Sequence, residues 1–272
     1  MSQAKGLKRN TIDKFYTKPL AVAQCMTEFK KHVVINDKDL IIEPSAGSGA
    51  FISEIKGITS QCKFYDIEPE HSDIEQLDFL TFDYEQFSTE SIHVIGNPPF
   101  GRQSSVAIRF IKHCCKFASS ISFILPKSFK KDSMKKHFAP RYHLIHEDNL
   151  EENSFLVNDV EYDVPCVFQI WIKTDVDRPT IIKEDPKGYT FVKKDDHPDI
   201  SFRRVGVNAG KIMKEVDDKS QQSHYFIKFI DRDTTIDEMV KQLEKINFGF
   251  DNTVGPKSIS KQELIKEFNR II

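Results

Sequence analysis

A short apolar run that ends in a glycine turn and continues into a helical segment most limits the folds open to this chain. The run Asp39–Glu43 is followed by Pro44-Ser-Ala-Gly-Ser-Gly-Ala-Phe51, and residues 51–56 have helical spacing. A strand, a glycine turn and a helix in this order form the first unit of a doubly wound α/β sheet, where ligands bind beyond the carboxyl ends of the strands. We therefore predict a Rossmann-like α/β fold with a ligand site at this turn.

The glycines of the turn, Gly47 and Gly49, let the backbone approach a ligand without interference from a Cβ atom. A nucleotide-phosphate loop is the obvious alternative. No Gly-Lys-Ser/Thr follows the turn, however, and the Gly-x-Gly-x-x-Gly dinucleotide spacing is absent.

A second predicted strand, Cys62–Asp66, ends in an acidic residue about 20 residues after the glycine turn. This spacing suits a carboxylate that accepts hydrogen bonds from ribose hydroxyls, so Asp66 is a candidate for that role. An acid that merely ends a strand is the alternative.

A rigid tip follows a further predicted strand, Ser91–Ile95. Asn97, Pro98 and Pro99 stop the strand and stiffen the chain, and the prolines leave nearby carbonyl oxygens outside any hydrogen-bond ladder. The Asn97 side-chain carbonyl and a backbone carbonyl can then converge on one NH₂ group. Phe100 offers a flat apolar face beside them, as a planar base lifted out of a stack requires.

These segments together resemble amino methyltransferases that use S-adenosylmethionine (SAM) and carry an Asn-Pro-Pro-aromatic motif, and they are most like the enzymes that act on N6 of adenine. The resemblance covers residues 13–173, with the motifs in the family's order. It implies the class I SAM-methyltransferase fold, with a mostly parallel seven-stranded sheet. It also implies SAM as the cofactor and adenine N6 in nucleic acid, DNA somewhat favoured over RNA, as the acceptor.

The resemblance also implies roles for individual residues. The Phe-Tyr-Thr segment would line the methionine end of SAM, and the acid and glycine turn would surround its cationic amino acid. Asp78 would contact the amino group of the cofactor's adenine. Phe79 would pack on the adenine ring or in the core. The implied cofactor-binding residues are Phe15, Tyr16, Thr17, Glu43, Pro44, Ser45, Ala46, Gly47, Asp66, Ile67, Asp78, Phe79 and Asn97. The implied catalytic residues are Asn97, Pro98, Pro99 and Phe100.

Charge is distributed unevenly along the chain. Residues 66–90 hold nine acidic residues and no Lys or Arg, whereas residues 101–146 hold ten Lys or Arg and one acidic residue. A solvated helix face explains such a run equally well. Because the basic block follows the Asn97 tip directly, we predict contacts to phosphates that flank an inserted base. The candidate substrate-binding residues are Arg102, Lys127, Tyr162 and Arg203.

Several classes are disfavoured by composition. The chain has no apolar run of ~18 residues for a membrane span, and Met1–Arg9 lacks the apolar centre of a signal peptide, so an intracellular, cytoplasmic protein is expected. The five cysteines have no C-x-x-C spacing, so neither disulfides nor a metal site are predicted. A protein partner for target recognition remains an option.

The last third of the chain changes in character. Residues 175–199 are rich in Pro, Asp and Lys and are expected to be irregular. Two strands, near 201–206 and 224–230, and two helices, 235–246 and 261–272, are predicted beyond them, and Ser260 with Glu263 forms a capping-box pattern. We therefore divide the chain into a methyltransferase domain, 1–175, and a C-terminal α+β substrate-recognition extension, 176–272.

Other functions stay open at this point. Protein-glutamine methyltransferases carry Asn-Pro-Pro-Tyr, generally after a helical domain, and cytosine N4 enzymes commonly replace the Asn by Ser or Asp. Pro165-Cys166 resembles the nucleophile of cytosine C5 methyltransferases, but in those enzymes it lies at the tip that Asn97 occupies here. An inactive nucleic-acid-binding partner subunit is a further alternative, although both the glycine turn and the tip are present.

Overall fold

The computed structural model describes residues 14–87, 91–180, 182–230, 234–249 and 257–272. The chain divides into two compact units, Met1–Pro179 and Thr180–Ile272. The segment Met1–Arg9, which lacks the apolar centre of a signal peptide, lies outside the described residues. Within the described ranges, every helix is too short or too polar to cross a membrane.

The first unit contains a seven-stranded sheet and a separate three-stranded sheet. Its strands in chain order are β1 (Tyr16–Thr17), β2 (Leu40–Glu43), β3 (Cys62–Asp66), β4 (Glu75–Gln76), β5 (Ile92–Gly96), β6 (Ser120–Pro126), β7 (Tyr142–Asn149), β8 (Phe155–Val157), β9 (Val160–Tyr162) and β10 (Cys166–Lys173). Its helices are α1 (Pro19–His32), α2 (Ile52–Lys56), α3 (Ser105–Cys114) and α4 (Asp132–Lys135).

The large sheet has the order β4-β3-β2-β5-β6-β10-β7. All its pairings are parallel except those of β10, which runs antiparallel to both β6 and β7. The strand order reverses next to β2, so the carboxyl ends of β2 and β5 form the crevice in which open α/β sheets bind ligands. The predicted mostly parallel seven-stranded sheet is confirmed.

Two hydrophobic cores cover the two faces of this sheet. Successive strand residues point to opposite faces, so Ile42 and Val94 pack with α3, whereas Ile41 and Ile95 pack with α1 and α2. Burial on both faces explains why the central strands are continuous apolar runs instead of alternating ones. Helix α1 begins at Pro19, which fits a first-turn position because the missing N–H would have no partner there.

The small sheet, in the order β1-β8-β9, corrects one expectation from the sequence. The seven acidic residues and the lack of Lys or Arg in residues 147–163 predict a loop, but β7 continues to Asn149 and an antiparallel hairpin of β8 and β9 follows. Asn158 and Asp159 at its turn have φ values of 50° and 61°. Two consecutive positive φ angles define a type I′ turn, which suits the twist of hairpin strands.

The second unit is an antiparallel four-stranded sheet with two helices. Its elements are β11 (Tyr189–Val192), β12 (Ile200–Arg203), β13 (Ile212–Met213), β14 (His224–Phe229), α5 (Ile236–Leu243) and α6 (Lys261–Phe268), and the strand order is β11-β14-β12-β13. The capping box of Ser260 and Glu263 is present. The expectation of an irregular 175–199 segment is wrong where β11 forms, because Tyr189 and Phe191 join the core of this unit.

A buried polar chain ties together the amino-terminal ends of three strands in the first unit. His93 lies with Nδ1 2.8 Å from Ser120 Oγ and Nε2 3.3 Å from Asp39 Oδ2, and Asp39 also accepts a hydrogen bond from the Asn36 backbone N–H. Although Ser, His and Asp are the residue types of a catalytic triad, these three side chains are buried and lie at the end of the sheet opposite the carboxyl-end crevice. We assign it a structural role, since buried polar groups must be paired to be tolerated.

We expect Asp39→Ala to destabilise the protein by about 2–4 kcal/mol, because His93 and the Asn36 N–H lose their acceptor inside the core. Urea unfolding followed by circular dichroism measures the change. Asp37→Ala is the matched control, since Asp37 is an exposed acid two residues away, and its midpoint should stay near wild type. Equal effects of the two variants would contradict the structural role of the buried chain.

Candidate active site

A cavity of about 290 Å³ lies at the carboxyl ends of the central strands. It is formed by the chain around β1, the glycine turn after β2, the segments after β3 and β5, and the first turns of α3. The sequence-predicted residues that line it are Phe15, Tyr16, Pro44, Ser45, Gly47, Asp66, Ile67, Asp78, Phe79, Asn97, Pro98, Pro99 and Phe100. Most of the predicted site is thus assembled in one place.

The remaining predicted residues lie outside the cavity lining. They are Thr17, Glu43, Ala46, Arg102, Lys127, Tyr162 and Arg203. Thr17 contacts a lining residue, as described below, and Ala46 is buried in the core beside α1. Arg203 belongs to the second unit, where it donates hydrogen bonds to the Val205 carbonyl and to Ser223. The binding roles of these residues stay predictions.

A charged network at the cavity wall was missed by the sequence interpretation. Lys14 Nζ lies 2.9 Å from both Glu68 Oε2 and Glu70 Oε1, and the Tyr16 hydroxyl donates to Glu70 at 2.7 Å. The bonds from Lys14 and Tyr16 hold the pKa of Glu70 below its usual range. Because these partners are more than 50 residues apart in the chain, no local pattern could have indicated the network.

The orientation of the Asn97 side chain is fixed by β1 and by Phe15, the residue just before this strand. Its Nδ2 group donates to the Phe15 carbonyl at 3.3 Å and to Thr17 Oγ1 at 3.2 Å. Both donor positions of the amide are therefore used within the protein. Among the described residues, no donor bonds to the side-chain carbonyl oxygen Oδ1, so this atom is available as an acceptor.

The carboxylate of Asp66 closes the glycine turn against the end of β3. Oδ2 accepts from the Gly47 backbone N–H at 2.8 Å, and Oδ1 accepts from the Glu68 N–H at 2.9 Å. Gly47 has φ +54°, a conformation in which a side chain would be strained. Each Asp66 oxygen keeps a second lone pair, so the predicted contact to ribose hydroxyls is compatible with this geometry.

Aromatic rings gather beside the Asn97 tip. Phe15 stacks on Phe100 with ring centroids 6.5 Å apart and an interplanar angle of 22°, and Tyr162 lies 5.7 Å from Phe15. Phe79 lines the cavity and is also buried in the core, where it stacks on Phe82 and Phe110. Both interpretations of Phe79 are therefore compatible with its position.

Glu43 is a buried carboxylate with an unmatched oxygen. Its Oε2 atom has no hydrogen-bond partner among the described residues, and its Cγ lies 3.2 Å from the position a Cβ on Gly96 would take. Burial, with a smaller effect of the Asp66 charge, raises the pKa of Glu43 to about 8. A group with this pKa is largely protonated at neutral pH, and Glu43 lies outside the cavity lining, so its contact with the cationic amino group of SAM stays a prediction.

The sheet order, the glycine turn and the crevice together define a domain of the class I SAM-methyltransferase fold. The EDM2 methyltransferase-like domain family matches residues 34–176, and the chain belongs to this family. The predicted fold class is confirmed. SAM is the cofactor of this class, so the cofactor prediction is confirmed at the level of fold and family.

The chain is 26% identical over 193 residues to protein ENHANCED DOWNY MILDEW 2 of Arabidopsis thaliana. The match covers 62% of this chain and 14% of that protein, so it spans only a small part of the relative's length.

Two solved structures are similar to the chain at low sequence identity. PH1948 of Pyrococcus horikoshii, described provisionally as an RNA methyltransferase, is 14% identical with a TM-score of 0.46, covering 62% of this chain and 92% of that chain. A type I restriction-modification methyltransferase subunit of Streptococcus thermophilus is also 14% identical, with a TM-score of 0.41, covering 60% of this chain and 46% of that chain.

The raised pKa of Glu43 predicts a specific pH dependence of stability. Its folded-state pKa of about 8 exceeds the ordinary value of about 4.3, so the folded state binds this proton more tightly than the unfolded state does. Stability from the protonated group is complete below about pH 4.3 and is lost as pH rises toward 8. Relative to Glu43→Gln, the ligand-free wild type should lose about 1–3 kcal/mol between pH 5 and pH 8.

Urea unfolding of both proteins at a series of pH values tests this expectation. Asp83→Asn, which changes an exposed acid in the first unit, controls for the loss of one carboxylate. A difference between wild type and Glu43→Gln that does not vary between pH 5 and pH 8 would show that folding does not raise the pKa of Glu43.

Proposed function

We propose that the protein transfers a methyl group from SAM to the exocyclic N6 amine of adenine in nucleic acid, with DNA somewhat favoured over RNA. The observation that carries the proposal is the fixed Asn97 amide. Its NH₂ group is held by Phe15 and Thr17, and its carbonyl is left to accept a hydrogen bond at the cavity. An amide so oriented suits a substrate that donates hydrogens, such as an aromatic amine.

The chemistry requires alignment instead of a covalent intermediate. The methyl group on a sulfonium is already activated, and holding donor and acceptor in line can supply ~7–11 kcal/mol in favourable cases. The adenine amine is a poor nucleophile because its lone pair is conjugated with the ring. Hydrogen bonds from its two protons to Asn97 Oδ1 and the Pro98 carbonyl would favour a tetrahedral nitrogen as positive charge develops. The surplus proton on the methylated nitrogen would then pass to solvent, with the donor released as a neutral thioether.

The aromatic cluster supports an extruded base as the substrate. Phe100 borders the cavity and already stacks on Phe15, so it presents a flat face of the kind that flipped bases require. Tyr162, next to Phe15, would close the far side of this platform. Stacking on such a face is worth ~1–3 kcal/mol per base.

The basic block supports contact with a phosphate backbone. Exposed cations lie before, along and after α3, and one of them, Arg109, also lines the cavity. They are Arg102, Arg109, Lys112 and Lys116. This helix starts a few residues after the Asn97 tip, which supports contact between its cations and phosphates that flank the target nucleotide. Lys127 and Arg203 are further candidates for this role.

We expect purified protein incubated with methyl-labelled SAM to place label in N6-methyladenine of one nucleic-acid pool. Separate pools of DNA, RNA and protein are offered, and nucleosides and amino acids are identified by mass spectrometry. Asn97→Ala should lower the rate by ~100-fold or more, as expected when a preorganised hydrogen-bonding group is removed. Asn149→Ala, on the exposed end of β7, should retain full activity.

Label in protein glutamine would overturn the nucleic-acid proposal, since glutamine methylation uses a related tip. Absence of SAM binding in a parallel calorimetric titration would favour the inactive-partner alternative. Methylation at cytosine N4 would keep the fold and cofactor but replace adenine as the target.

Thr17 has a testable positioning role in this scheme. Thr17→Val removes one of the two acceptors that hold Asn97 Nδ2 and keeps the side-chain volume nearly constant. We expect kcat to fall ~10-fold with little change in KM for SAM, because only the amide orientation is affected. Thr17→Ser keeps the hydroxyl and should recover most of the activity. Equal kinetics of the Val and Ser variants would contradict the role.

A further inference from the structure

A cluster of metal-ligating side chains lies outside the candidate active site. Glu28 and His32 are one turn apart on α1, and His146 comes from β7. One ligand atom from each of the three residues lies within 4.8 Å of the others. None of the three lines the active-site cavity.

The atoms are arranged around the Glu28 carboxylate. Oε2 of Glu28 lies 3.3 Å from His32 Nε2 and 3.5 Å from His146 Nδ1. Ligand bonds of about 2.0–2.2 Å in a tetrahedral zinc site place neighbouring ligand atoms roughly 3.3–3.6 Å apart. The two distances from Glu28 match those of a coordination sphere, and the ligand atoms of His32 and His146 lie within 4.8 Å of each other.

His32 has an unsatisfied nitrogen in this cluster. Its Nε2 atom is buried and forms no hydrogen bond with the described residues. The two imidazole rings stack with centroids 4.9 Å apart and an interplanar angle of 29°. A buried nitrogen without a partner is costly unless a ligand binds it.

A fourth residue would orient His146. Asp148 Oδ2 lies 3.1 Å from His146 Nε2, the ring nitrogen opposite to the one that approaches Glu28. This nitrogen is buried and its contact with Asp148 lacks hydrogen-bond geometry, so a small rotation of the exposed Asp148 carboxylate would complete the bond. Metal-binding histidines commonly use their second nitrogen in this way, and the carboxylate fixes the tautomer and the ring orientation. Nδ1 is then left to bind the ion.

We propose that Glu28, His32 and His146 bind a zinc ion, with Asp148 as the orienting carboxylate of His146. Two imidazoles and one carboxylate form a known zinc donor set with a fourth position for water. Calcium and magnesium are disfavoured because they prefer sets made of oxygen ligands only. This inference does not depend on the proposed methyltransferase activity.

The cluster is accessible enough for metal exchange. The side chains of Glu28, His32 and His146 are 19%, 26% and 13% exposed. Lys31 Nζ lies 3.3 Å from the same Glu28 oxygen, but its side chain is 64% exposed and can turn into solvent when a divalent cation takes its place.

The position of the cluster indicates a structural role for the ion. Helix α1 follows β1, which holds Asn97, and β7 leads into the hairpin whose β8 pairs with β1. A metal between α1 and β7 would therefore join the helix that follows β1 to the strand that precedes β8. The sequence interpretation considered only cysteine spacing, and His146 is too distant in the chain for a local motif.

We expect the full chain, stripped with a chelator and dialysed against zinc chloride, to retain one zinc ion per molecule by elemental analysis. Its melting temperature should rise with zinc concentration, since the ion binds the folded state. Cobalt(II) should give the visible absorption of a four-coordinate ion. Glu28→Gln and His146→Ala should each weaken zinc binding more than ~10-fold, and Asp148→Asn should weaken it ~10–100-fold.

His143→Ala is the matched control, because His143 is on the same strand and bonds instead to the Val176 carbonyl. It should bind zinc like wild type. Circular dichroism in the presence of chelator shows whether each variant folds. If His146→Ala does not fold, Glu28→Gln still tests the site, because it preserves the shape of the side chain. Stoichiometric zinc in a folded Glu28→Gln variant, or no zinc in wild type, would overturn the proposal.

Discussion

The candidate site depends on how the Asn97 amide is held. Its NH₂ group is bound by Phe15 and Thr17, and its backbone carbonyl accepts a hydrogen bond from Ser45 Oγ at 3.1 Å. One residue therefore links β1, the glycine turn and the tip after β5. Because these bonds form within the protein, the amide would need no reorientation for the proposed substrate, which is the condition for preorganised catalysis.

The strand that holds Asn97 is itself held from far along the chain. Strand β1 is only two residues long and pairs with β8 through Tyr16 and Leu156, while the Lys18 N–H donates to the Ser154 carbonyl. A strand this short has little stability alone. The geometry of the tip thus rests on a hairpin more than 50 residues downstream of it, beyond the last parallel strand of the sheet.

Features encoded by local pattern were predictable from the sequence, and features made by distant pairing were not. The buried strands, Pro19 at the start of α1 and the Ser260 capping box each have short-range signals. The hairpin of β8 and β9 lies in a segment whose acidic composition indicates a loop, and its sequence signal is the short Asn158-Asp159 turn. The Lys14–Glu70 network and the Glu28–His32–His146 cluster arise only when the sheet brings remote residues together.

The acidic and basic stretches of the sequence line different sides of the cavity in this fold. Asp66, Glu68 and Asp78 lie on the side of the cavity that follows β3, whereas Arg109 lies on the side formed by α3. SAM carries a positive sulfonium and nucleic acid is a polyanion, so the two proposed ligands need walls of opposite sign. The acidic side attracts the cationic donor and repels phosphates, while the basic side attracts them. The division of charge would therefore direct each ligand to its own side of the Asn97 tip and keep the polymer out of the cofactor crevice.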